Sequence, residues 1–132
     1  MRMRDLTVGK AKSLLALNRL DDAKKLFQEI AAMREWRGEA TAIAVFSLGE
    51  IEMKSNHLPE AIAYYQRVFV AYQKFLPLVA KAYIQSADCF KQLGKNQEAL
   101  NTYKELLRNE KLRLFPETEI ARKAVEAAGA QL

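Results

Sequence analysis

Alanine recurs at positions 23, 61 and 99, a strict period of 38, and no other feature constrains the chain as much. Twelve residues before each alanine stands another small residue: Ala11, Gly49 and Ala87. Four residues after each stands an aromatic ring (Phe27, Tyr65, Tyr103), and three further on an aliphatic one (Ile30, Val68, Leu106). Four columns agreeing at one period mark an internal repeat, and periods of about 20–50 residues signal stacked-repeat architectures. Each copy reads as two amphipathic helices joined by a polar turn, which in the middle copy is Lys54-Ser55-Asn56-His57. A small residue in each helix lets the two backbones approach closely, so Gly49 is expected to face Ala61.

These residues resemble the tetratricopeptide repeat family. Its signature sets a bulky residue, two spacers, Leu-Gly, two spacers and Tyr in the first helix, then Ala, three spacers and Phe in the second. The middle copy supplies Val45, Leu48-Gly49, Ala61 and Tyr65; the third supplies Tyr83, Ala87, Phe90, Ala99 and Tyr103. The first supplies Thr7, Ala11, Leu14, Ala23 and Phe27. The departures are Glu52 where an aromatic is expected, Lys10 and Ser86 in place of Leu, and Thr7 in place of the bulky opener. The resemblance implies an all-α fold, a right-handed solenoid of three helical hairpins closed by a C-terminal capping helix, about seven helices in all.

The family period is about 34 residues. The spacing of 12 between the small residues is the family's own, so the four extra residues fall after the aromatic of the second helix. Apolar positions 58, 61, 62, 65, 68, 69, 72, 75 and 76 keep helical spacing unbroken, which predicts a second helix lengthened to about Phe75. The alternative is an equivalent length of connecting loop. Lengthened helices also occur in bacterial envelope assembly proteins of this family, a further point of resemblance.

In chain order, the repeats are expected at 4–38, 39–77 and 78–115, with the cap at 116–130, all in a single domain. Helices are expected near Arg4–Leu17, Leu20–Met33, Glu39–Lys54, Leu58–Phe75, Leu78–Leu93 and Asn96–Asn109. Pro59 suits a first helical turn, where its missing N–H costs nothing, and Gly94 suits a C-terminal cap. Trp36 is expected to plug the junction between the first two repeats.

The chain has 132 residues, half of them apolar, and carries a net charge of +5. Basic side chains outnumber acidic ones by 10 to 9 in residues 1–66 and by 11 to 7 in residues 67–132, a mild surplus that reads as a solvated surface. No apolar run approaches the roughly 18 residues of a membrane span. The start is too interrupted by charge for a secretory leader. The sequence leaves the compartment unknown, since an array of this kind can be one piece of a longer protein.

Catalysis is not indicated. The single cysteine, Cys89, excludes an internal disulfide and a Cys-based zinc site. It is expected to pack as a small hydrophobe. His57 stands in a turn with no ligating partner in register, and no phosphate-binding or hydrolase motif is present. No cofactor or metal is expected.

Resemblance to the family places the lining of its concave surface on the first helix of each repeat. Here these positions are Asp5, Val8, Lys12 and Leu15; Ile43, Phe46, Glu50 and Met53; and Lys81, Ile84, Asp88 and Lys91, with Glu119, Arg122 and Glu126 added by the last helix. The expected groove is thus an apolar row, Val8, Phe46 and Ile84, beside a charged row, Lys12, Glu50 and Asp88. It suits a helix or extended peptide of a protein partner with apolar anchors of its own. The apolar row can equally pack against a neighbouring helix. Chaperone-binding members hold a terminal carboxylate at positions that are Val8, Lys12, Ser47, Lys81 and Gln85 here, and only Lys81 matches that clamp. A basic RNA-binding repeat is the second reading, opposed by Glu50 and Asp88 at the groove centre, where they would repel phosphates. Self-assembly through the terminal repeats, giving a homo-oligomer, is the third.

Overall fold

A computed structural model describes residues 3–33 and 38–129, with side chains from Thr7 onward. Trp36 and the side chain of Asp5 lie outside the described residues. Among the described residues seven α-helices follow one another: α1 (Met3–Ala16), α2 (Leu20–Ala32), α3 (Glu39–Lys54), α4 (Leu58–Ala71), α5 (Leu76–Gln92), α6 (Asn96–Arg108) and α7 (Pro116–Ala127). A short 3-10 turn, Glu110–Leu112, precedes α7. Each helix packs against the next, and α1, α3, α5 and α7 also touch in succession. This is an all-helical repeat array of three hairpins and a terminal helix.

The hairpins share one turn. Asn18, Asn56 and Gly94 stand one full period apart and adopt positive φ angles of 61°, 61° and 76°. Around each, two backbone bonds close the preceding helix. For the third hairpin, Gly94 N–H donates to Lys91 O at 2.9 Å and Lys95 N–H to Phe90 O at 2.8 Å. The same pairs recur as Asn56 to Met53 with His57 to Glu52, and as Asn18 to Leu15 with Arg19 to Leu14. That is the Schellman closure, whose left-handed position favours Gly and tolerates Asn because their backbones enter that region at least cost.

The lengthened second helix is not formed. α2, α4 and α6 have 13, 14 and 13 residues, so none carries an extra turn. α4 stops at Ala71, Tyr72 leaves helical geometry at φ −123°, and Phe75 opens α5. Pro77, in the first turn of α5, explains the stop. In one continuous helix its ring would press on the carbonyl of Gln73 and would remove a hydrogen bond. The added length lies instead in connecting residues 72–75 and in the long first helices α3 and α5, of 16 and 17 residues.

Among the described residues two apolar clusters make the core. Ala11, Ala23, Phe27 and Ile30 meet Ala40, Ala44, Leu48 and Ile51 of α3. Val45 and Phe46 of the same helix enter a larger cluster that runs through α4, α5 and α6 to Ala121 and Val125 of α7. α3 therefore joins both, and it is apolar around most of its circumference, as a helix enclosed on several sides must be. Its Gly49 does not meet Ala61 first. A Cβ there would fall 2.7 Å from the Tyr65 ring, which occupies the space the glycine leaves. The small residue admits an aromatic ring rather than a second small residue.

Candidate functional site: the row of first helices

Because the first helices stand side by side, residues at one register position form a row across the array. Lys12, Glu50 and Asp88 form one such row, and Leu15, Met53 and Lys91 the next. Glu50 is half-buried, and burial pushes its pKa up against the opposing pull of Lys54, Lys81 and Lys12. Burial likewise raises Asp88, with Lys91 and the Tyr103 hydroxyl drawing it back. Two second-helix tyrosines extend to these rows. The Tyr65 hydroxyl lies 3.7 Å from Met53 Sδ, and Lys91 Nζ donates to the Tyr103 hydroxyl at 3.5 Å while lying over its ring. Glu50, Met53, Lys54, Tyr65, Gln85 and Gln92 enclose an open cavity of about 310 Å³.

The charged candidates are thus brought together: Lys12, Glu50 and Lys81 across three helices, Asp88 and Lys91 around Tyr103. Lys12, Lys81 and Lys91 are exposed. The apolar candidates fare differently. Phe46 is only 7% exposed and tilts at 57° against the Tyr65 ring, so the structure moves it from groove anchor to core wall. The physical reason is the Gly49 gap: the ring that fills it needs an apolar neighbour on its other side. Val8 and Ile84 are half-buried against the two clusters, and Met53 is half-buried beside the cavity. Ser47, at a clamp position, is buried and offers nothing to a ligand. Glu119 and Glu126 are both paired with Arg122 on an exposed face of α7.

A second constellation escaped the sequence. Glu52, at the position of the expected aromatic, is buried with its carboxylate 2.7 Å from Lys24 Nζ of α2 and 2.9 Å from His57 Nδ1. Burial alone would raise its pKa, but hydrogen bonds from Lys24 and His57 prevail and hold it below the usual carboxylate value. Lys24 is correspondingly raised by its bond to Glu52. His57 is carried to Glu52 by the turn itself, since the His57 N–H donates to the Glu52 carbonyl. With Glu60 these groups place ligand atoms within 4.8 Å of one another. Lys24 already supplies a cation to the buried oxygen, so the arrangement reads as an inter-repeat ion pair.

Cys89 is fully buried, and burial raises its thiol to about 11, the behaviour of an inert packing residue. Among the described residues no helix is long and apolar enough to cross a membrane. A family model described as tetratricopeptide repeat matches residues 8–74 and again 53–117. No curated protein shows significant similarity to the chain.

Proposed function

This chain belongs to the tetratricopeptide repeat family, and on that footing we propose that it is a scaffold holding a peptide or helix of a partner against α3 and α5. Repeats of this family generally mediate protein–protein interaction, and the fold is generally a non-catalytic one. The observation that carries this reading is the cavity between Glu50, Met53, Tyr65 and Gln85, because it sets the apolar Met53 and Tyr65 side chains beside the charged Glu50 and Lys54. Met53 and Ile84 are the anchors in this reading, and Phe46 supports them from behind. Lys54, Lys81 and Lys12 pull electrostatically on the half-buried Glu50, so a partner that brings carboxylates to these lysines is favoured over one that brings phosphates next to Glu50 and Asp88.

The test uses the charge-introducing pair Met53→Glu and Ile84→Glu in a pull-down with the native partner, checked by circular dichroism. Lost partner with unchanged helicity supports the groove. Retained partner moves the interface to another face. Light scattering on the same samples separates a bound partner from a second copy of the chain.

A further inference from the structure

The array has three seams where a second helix meets the next first helix, and one pair of register positions is filled differently in each. In the first seam the pair is Lys24 and Glu52, joined by an ion pair at 2.7 Å. In the second it is Ile62, buried in the large apolar cluster, and Phe90, half-buried against it. In the third, the register assigns Leu100 and Ala128, and the space between them is open. Both line a cavity of about 400 Å³ together with Tyr103, Ala124 and Ala127. Where the second seam has a phenyl ring, the third has a methyl group.

We propose that this cavity receives an aromatic side chain of a partner protein, presented beside a carboxylate that pairs with Lys91. Phe90 shows what the same frame accepts one repeat earlier. Among the described residues Lys91 is the one charged residue of the lining, its ammonium 5.6 Å above the Tyr103 ring. Asp88 draws on the same lysine, so an incoming carboxylate shares it. The volume falls in the range of about 300–1,000 Å³ usual for ligand pockets, which pair an apolar lining with a few orienting polar groups. Only Lys91 is common to this site and the groove around Met53 and Ile84, so either can fail without the other.

A small probe carries both features: 3-phenylpropionate, an aromatic ring two carbons from a carboxylate. Titrated into the full chain and followed by methyl NMR, it is expected to shift Ala124, Ala127 and Ala128. Ala128→Phe supplies the missing ring from within and should abolish the shifts while raising Tm. Lys91→Gln, or the neutral amide of the probe, should weaken binding about threefold, the scale of one partly exposed ion pair. Met53→Glu should leave the titration unchanged. Shifts that survive Ala128→Phe, that centre on Met53 and Ile84, or that rise with protein concentration as copies associate would each overturn the proposal. Should Ala128→Phe lose helicity, Lys91→Gln and the neutral amide decide it: equal affinity in both would refute the carboxylate pairing.

Discussion

The first two seams of this array do the same structural work with opposite chemistry. Between α2 and α3, Glu52 is buried against Lys24 and His57. Between α4 and α5, the Phe69 and Tyr83 rings stack at 4.1 Å and 10°, with Ile62 and Phe90 at the positions of Lys24 and Glu52. The helices on either side keep the same register and the same turns. Position in the repeat therefore decides where a contact forms, and the residue type decides only how it is satisfied. Stacked rings contribute area and dispersion without a desolvation cost, whereas a buried ion pair roughly offsets its own desolvation. The two seams should respond to perturbation in different ways.

Tyr83→Ala removes one ring of the stack and leaves a void that the rigid neighbours cannot close. It should cost about 3–5 kcal/mol, read as a large fall in the urea midpoint with the slope retained. Lys24→Met acts on the other seam by stranding a buried carboxylate on His57 alone. A stranded charge in a fully buried pair costs about 3–5 kcal/mol; Lys24 is part-exposed and His57 remains, so about 1–2 kcal/mol is expected here. If Lys24→Met costs as much as Tyr83→Ala, the first seam is no mere substitute for apolar packing.

Acid sharpens the contrast further. Glu52 titrates below its unfolded value of 4.5, so its stabilisation is present above that value and drains as the pH falls through the lower folded one. Glu50 and Asp88, raised by burial, act in the opposite sense and favour the folded state as they protonate. The difference in Tm between the wild type and Glu52→Gln isolates the first seam. It should hold steady well above pH 4.5 and shrink below it. A difference that persists into strong acid would mean that packing, and not charge, is what Glu52 contributes. The smallest single-site effect is expected at Ser86, whose hydroxyl is buried in α5 without a hydrogen-bond partner among the described residues. Ser86→Ala should be neutral or raise Tm slightly, because it removes an unsatisfied group at little loss of volume.

Much of this frame is legible in the sequence because the columns that begin at Ala11, Ala23 and Phe27 impose steric rules that return in every repeat. The turns are legible too, though through a different column: Asn18, Asn56 and Gly94 share the period and the left-handed backbone. The end of α4 is not, because Tyr72, Phe75 and Leu76 keep helical spacing although they serve as connector and helix start. Pro77 is the local signal that outweighs it. The partner of Gly49 is out of reach as well, since Ala61 and Tyr65 lie one helical turn apart on the same face and spacing cannot choose between them. Of the candidate groove, the charged rows follow from register alone, but the burial of Phe46 depends on how Tyr65 fills the glycine gap. Glu52 reads only as a departure until Lys24, from the preceding helix, is seen beside it.

The repeat frame sets each contact, and the side chains are exchangeable within it. The double variant Lys24→Ile with Glu52→Phe gives the first seam the residues of the second, Ile62 and Phe90. Thermal unfolding of this variant is the direct test. Helicity should be unchanged, Tm equal to or above that of the wild type, and the acid dependence assigned to Glu52 absent. A Tm lower by about 5 °C or more, roughly 1 kcal/mol in a domain near this size, would show that the ion pair is specific to its seam and would contradict the claim.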